Sequence, residues 1–265
     1  MVWRDPIDKK QGVAPLNYSI LNNTYKIDPA KTPYERKKDL HDWLENLAKM
    51  WGSKNEWWIS GAIALSMITN TYPRTNTNTD IALIRKKDLL EHMVKQAEEY
   101  NLFLFRRLRS YKISKNDPIK YEVYRPISIE DAINDYWKNR NLQFCSVDNY
   151  GNIIPENSID TRIKLYLHHT NKHNKLISSE KNLNIGEINP RYLPNQTIYE
   201  TNDNKKILIV NINYIRHIKE KMLSNWRWSK NPKHQQDMER ILLFLNEHPA
   251  YSSPLPENLA EKLAT

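Results

Sequence analysis

The sequence predicts a mixed α/β fold, with helices laid on a mixed sheet and a helical region after it. Three observations lead there. Between Trp57 and Tyr124, short apolar strand patterns alternate with amphipathic helical ones in the order β-α-β-α-β-β. The hydrophobic share is a modest 39%, but 8 Trp and 15 Tyr supply ring area for a core. Helical spacing then dominates from Ile212 onward, with no internal repeat and no heptads.

The elements follow in order. Residues 1–31 read as an extended arm punctuated by Pro6, Pro15 and Pro29. Thr32-Pro33-Tyr34-Glu35 is a capping box with proline at the first helical position. Leu40, Trp43, Leu44, Leu47, Met50 and Trp51 continue that helix, and Gly52 ends it. Trp57–Ile59 is a strand, Gly61 a turn, and Ile63, Ala64 and Ile68 belong to a short helix closed by Pro73. Asn78–Ile84 is the next strand and Lys86–Tyr100 an amphipathic helix. Leu102–Ile113 and Ile119–Tyr124 form an antiparallel pair around the Asn116-Asp117-Pro118 turn. After Pro126 a second region begins. It holds a helix from Ser128 to Arg140, strands Leu142–Val147 and Arg162–His168, and a polar stretch over 170–204. A short strand Lys206–Val210 and helices Ile212–Trp226 and Lys233–Asn246 complete it.

Composition bounds the function classes. The 265 residues allow one large domain or two modest ones. The single cysteine, Cys145, rules out an internal disulfide and a multi-cysteine metal site, and it fits a reducing cytoplasm. It reads as a small buried hydrophobe. No apolar leader is visible at the N-terminus and no run is long enough to span a membrane, so no membrane partner is expected. A net charge of +9 favours anionic partners such as nucleotides or nucleic acid and disfavours a polycationic small molecule.

The stretch from Trp57 to Asp88 carries the chemistry. Asn78 and Asp80 stand two residues apart on a strand, so they share a face with small Ala82, while Thr79, Ile81 and Leu83 face the core. A polar pair on a rigid strand beside a cleft is suited to holding a hard metal ion. This order of strand, Gly61-Ala62, helix, Arg74 and Asn78-Thr79-Asp80 resembles the nucleotidyltransferase superfamily. Within it, the small-molecule (aminoglycoside and lincosamide) adenylyltransferases and their toxin-like relatives are the most similar. Lys233-His234-Gln235-Gln236-Asp237-Met238 is similar to their C-terminal helix segment.

The resemblance implies a nucleotidyltransferase-like domain over 32–127 and a C-terminal domain over 128–265 that completes the cleft. It implies an NTP, with ATP expected, and Mg²⁺ (or Mn²⁺) as cofactor. Asn78, Asp80 and Glu122 would be catalytic and metal-ligating. Ser60, Gly61, Ala62, Arg74 and Lys233 would bind nucleotide. Asp148 and Asp160 are the alternatives to Glu122 as third carboxylate, or Glu122 is the base for the acceptor hydroxyl. The acceptor would be a small molecule, a tRNA end or a protein, as for a toxin, phage-defence or resistance factor.

The physical chemistry points the same way. Attack on an α-phosphate spreads charge over several oxygens, which carboxylate-held Mg²⁺ neutralises. Glycine at a helix start lets backbone N–H groups approach phosphate, and arginine offers it a planar fork. Ala62 departs from the family by lacking a hydroxyl. Asn78 departs by lacking a charge, and reads either as a natural loss or as an introduced silencing change. A non-catalytic nucleotide- or RNA-binding protein is the competing expectation.

Other signals have blander readings. Arg106, Arg107, Arg109, Lys112 and Lys115 read as a solvated strand face. His168, His169 and His173 read as surface histidines. Trp226-Arg227-Trp228 reads as a plug between domains. Lys233 and Asp237, at i and i+4, read either as a surface pair or, by resemblance, as phosphate contacts, with Lys219 and Lys221 as substitutes for the lysine.

Overall fold

A computed structural model describes residues 19–23, 33–52, 56–71, 78–111, 120–134, 141–154, 162–170, 172–173, 176–178, 187–188, 198–202, 206–225, 229 and 231–252. In chain order the elements are β1 (Ser19–Asn23), α1 (Pro33–Trp51), β2 (Trp57–Ser60), α2 (Gly61–Ile68), β3 (Thr79–Ile84), α3 (Lys87–Glu98), β4 (Leu102–Tyr111) and β5 (Lys120–Pro126). They continue with α4 (Ile129–Asn134), β6 (Leu142–Ser146), β7 (Arg162–Thr170), β8 (Leu176–Ser178), β9 (Glu187–Ile188), β10 (Ile198–Glu200), β11 (Lys206–Leu208), α5 (Ile212–Ser224), α6 (Pro232–Glu247) and a 3₁₀ turn at Pro249–Ser252.

The class is mixed α/β, as expected. The main sheet runs β1-β5-β4-β6-β7-β3-β2, with β8 and β9 attached beyond β7. Neighbours are antiparallel except for the parallel pair β3 and β7. This order crosses the boundary expected at 127/128. Strands β6 and β7, drawn from the second half of the chain, stand between β3 and β4. The halves share one sheet because the period-two alternation of Arg162-Ile163-Lys164-Leu165-Tyr166-Leu167 gives β7 an apolar face that completes the core.

That core face carries Ile59, Ile81, Leu83, Ile163, Leu165 and Phe144, all buried. Helices α1 and α3 cover it and contact each other. Trp43 Nε1 donates to Thr79 Oγ1 at 2.7 Å, tying α1 to the first residue of β3. Trp51 Nε1 donates to the Met93 carbonyl at 3.0 Å, and its ring meets Trp57 edge-on at 5.7 Å. Gly52 takes φ +66 at the end of α1, a conformation in which an L side chain is strained.

Several boundaries differ from expectation. Part of the supposed arm, Ser19–Asn23, is a strand paired with β5, and its SILNN sequence carries no period-two alternation to announce it. The 170–204 stretch contains β8, β9 and β10, short pairings held by backbone bonds that leave no hydrophobic pattern. Helix α2 ends at Ile68, before Pro73, and Thr69 caps it through its amide to Leu65 O. Helix α4 begins where Ser128 Oγ accepts from Asp131 N at 3.1 Å, and residues 135–140 lie outside the described residues.

Candidate functional site

The local geometry of the β2-α2-β3 corner follows from its sequence. Helix α2, GAIALSMI, is apolar nearly all round, because it touches β2 and β3 on one side and α5 and α6 on the other. Its first residue, Gly61, has φ +66. A Cβ at that position would lie 2.1 Å from Asp80 Oδ2 and 2.9 Å from Asp80 Cβ and Cγ. Any side chain there would collide with the Asp80 carboxylate, so glycine is what admits Asp80 to the start of the helix. Ser60, buried, pairs directly with Asp80 across β2 and β3, and Ala62 is half-buried.

Asp80 is half-buried and makes no hydrogen bond or ion pair among the described residues. Asn78, also half-buried, immediately precedes β3 and shares the Asp80 side of the strand by alternation. Three expected site residues, Gly61, Asn78 and Asp80, are thus brought together with Ser60. Arg74 and Asp160 lie outside the described residues, as do Trp226, Arg227 and Trp228.

Glu122 is placed elsewhere. It lies on β5, and β7, β6 and β4 separate that strand from β3. Four strand spacings amount to ~19 Å along the sheet. Its carboxylate is buried and fully engaged. Arg107 Nη1 donates to Oε1 at 2.8 Å, Arg162 Nη1 to Oε2 at 3.2 Å, and the Tyr124 hydroxyl to Oε2 at 2.7 Å. Tyr124 also accepts from Arg162 Nη1 at 2.8 Å, and its ring lies 5.2 Å from the guanidinium carbon. Burial pushes the Tyr124 phenol well above its ordinary value, with the Glu122 charge and hydrogen bond adding to the rise. The phenol is therefore a neutral donor to Glu122. Asp148 is a turn residue: its Oδ1 accepts from the Tyr150 and Asn152 amides, both at 2.9 Å. Those bonds, the Asn152 amide first, hold its carboxyl below the usual range.

The residues beside Asp80 are cations instead. In the β3–β7 register, Lys164 stands next to Asp80, and Arg162 precedes Ile163, the partner of Thr79, on the same face of β7 as Lys164. The missed signal is the alternation in β7: Arg162, Lys164, Tyr166 and His168 on one face, Ile163, Leu165 and Leu167 on the other. The basic run also differs from a simple solvated face. Arg107 shares the inward face of Phe105 by alternation, and there Nη2 also donates to Asn141 Oδ1 at 3.0 Å, while Leu108, at the bulge between Arg107 and Arg109, is exposed.

The expected surface histidines split. His168 is buried on β7, 2.9 Å from the Tyr214 hydroxyl of α5, a link between sheet and helix. Burial, with the neighbouring His169 charge, lowers its pKa to about 3. His169 is half-buried, and His173 is exposed. On α6, Lys233 is exposed in the first turn. Asp237 turns inward, pairing with Lys219 Nζ of α5 at 2.6 Å, and the same Nζ lies 3.2 Å from His234 Nδ1. The Asp237 carboxylate therefore bridges two helices through Lys219, whereas Lys221 stays exposed.

Mg²⁺ takes hard oxygen ligands, usually one or two carboxylates plus substrate phosphates and water. Asp80 supplies a carboxylate and Asn78 a neutral amide oxygen. Among the described residues no group of three His, Cys, Asp or Glu side chains is placed to hold a metal. Asp80 and Asn78 together fit one ion shared with phosphate oxygens.

No family model matches the chain, and no curated protein matches it. Among solved structures, an antigenic nucleotidyltransferase-like protein from Paracoccidioides brasiliensis is similar at 13% identity with a TM-score of 0.38, covering 86% of this chain and 89% of that one. No helix among the described residues is long and apolar enough to cross a membrane.

Proposed function

We propose that the chain is a nucleotidyltransferase that moves a nucleoside monophosphate from an NTP, with ATP the first candidate, to an acceptor hydroxyl. The carrying observation is the half-buried, unpaired Asp80 carboxylate seated against the start of α2, where only glycine fits. In this reading the first N–H groups of α2 meet phosphate oxygens, and Arg74 supplies a planar fork for them. Asp80 and the Asn78 amide oxygen would hold Mg²⁺ or Mn²⁺, which supplies charge neutralisation where the α-phosphate is attacked. The acceptor hydroxyl adds to the α-phosphorus and pyrophosphate leaves. Glu122, clamped by two arginines and a phenol, is poorly suited to act as its base, so the third carboxylate passes to Asp160 as the sequence candidate. The net charge of +9 favours a tRNA end, a protein hydroxyl or an uncharged drug as acceptor, in keeping with a toxin or resistance role.

Incubation with α-labelled NTPs, Mg²⁺ and a cell extract tests the reading. Label moving to RNA, protein or a small molecule, and lost in Asp80→Ala, supports it. Asn78→Asp should raise transfer by adding a charged ligand; an unchanged rate with every NTP sinks the ligand role of position 78. Asn78 in place of a charged ligand favours a second reading, a non-catalytic nucleotide- or RNA-binding protein. Bound but untransferred NTP, or RNA binding with a steep salt dependence, is its signature.

A further inference from the structure

We infer that Lys164 grips the phosphate chain of the substrate beside Asp80. The inference rests on the reading that a polyphosphate occupies the β2-α2-β3 corner, and it names the counter-charge that such an occupant needs. One metal ion held by Asp80 and the neutral Asn78 would offset only part of a triphosphate's negative charge, so a further cation on the same face is needed. In the parallel β3–β7 register the residue next to Asp80 is Lys164. Both lie on rigid central strands and on the same face, since in-register neighbours point the same way.

Lys164 is half-buried, and among the described residues its ammonium has no carboxylate partner, not even adjacent Asp80. Its Nζ instead donates to the Tyr166 hydroxyl at 3.3 Å and lies 5.5 Å from that ring's centroid. A weak neutral contact with Tyr166 thus leaves the ammonium without a counter-charge on the strand next to Asp80. Arg162, the other cation on this face of β7, is buried and occupied by Glu122 and Tyr124. That clamp spans from β7 to β5 and stiffens the strand on which Lys164 stands. A lysine offers three rotatable donors on a compact charge, which suits the oxygens of a phosphate chain. Lys233, the lysine the sequence points to, sits exposed in the first turn of α6 instead.

The test is calorimetric titration of the full chain with ATP and with tripolyphosphate, without and with Mg²⁺. Lys164→Met keeps the aliphatic stem and removes the charge; Lys164→Gln is the second neutral variant should the first fail to fold. Loss of one charge-assisted contact predicts roughly tenfold or more weaker binding of both ligands. Lys164→Arg should keep most of the affinity, which a stem-packing role would not require. Neutral variants that bind both ligands as tightly as the parent overturn the inference, and so does a parent that binds neither. A parent that binds tripolyphosphate through Lys164 yet transfers no α-label upholds the phosphate contact and overturns nucleotidyl transfer alone.

Discussion

Two regions on the same face of the sheet make opposite use of a carboxylate. At the β2-α2-β3 corner, Asp80 is half-buried, has no partner among the described residues, and is admitted by a glycine. On β5, Glu122 is buried and clamped by Arg107, Arg162 and Tyr124. A carboxylate left partly exposed with free lone pairs is available for chemistry. One whose lone pairs are filled by two guanidinium groups and a phenol is a strut. The residue type is nearly the same, and the difference lies in what the strand order places beside it.

The largest expected effect breaks the strut. Arg162→Met leaves Glu122 buried with one guanidinium fewer and should cost about 3–5 kcal/mol, read as a lower urea midpoint. Glu122→Gln together with Arg162→Met should recover part of that loss, because the stranded charge is gone. Asp80→Ala should do the reverse, leaving the urea midpoint nearly unchanged while transfer falls a hundredfold or more by the α-label assay, a barrier change of about 2.7 kcal/mol or more. A large fall in midpoint would make Asp80 a strut as well.

Acid comes next. His168 has a folded pKa of about 3 against an ordinary 6.5. Between those values the unfolded chain binds the extra proton, so the stability present above pH 6.5 is lost as pH falls towards about 3. The slope for this group is about 1.4 kcal/mol per pH unit. Urea melts at pH 6.5 and 4.5 should therefore show a smaller drop in His168→Phe than in the parent. Equal drops would mean that His168 accepts the proton in place. Gly61→Ala should cost about 1–3 kcal/mol, since it strains a positive φ and pushes on the Asp80 carboxylate. Transfer should fall along with thermal midpoint, whereas a silent Ala would detach the glycine from the site. The smallest change is Trp43→Phe, which loses the bond to Thr79 and about 1 kcal/mol, checked by the same melts.

The corner was legible in the sequence because its geometry is local. Period-two alternation puts Asn78 and Asp80 on one face, and a glycine at a strand-to-helix turn has a short menu of conformations. Helical spacing placed the starts of α5 and α6 within a residue, and the Asn211 and Asn231 side chains, which accept from the amides of Asn213 and Lys233, cap them there. Glu122 was not. Its alternation and apolar neighbours fit a ligand strand as well as a structural one, and only the insertion of β6 and β7 beside β3 removed it from Asp80. The i and i+4 spacing of Lys233 and Asp237 likewise said nothing of Lys219 on the next helix.

By itself, then, the sequence determined the mixed α/β class, most helices and strands, the core-facing residues of α1, α3 and β3, and the Gly61–Asn78–Asp80 constellation. Each rests on contacts within a few residues or on hydrophobic periodicity. The tertiary structure alone decided the strand order, the edge role of Ser19–Asn23, the clamping of Glu122, the burial of His168 and the place of Lys164 beside Asp80. Those depend on which distant strands pair. Backbone hydrogen bonds are the same for every pairing, so the choice falls to the summed burial of whole faces, which no short stretch of sequence carries.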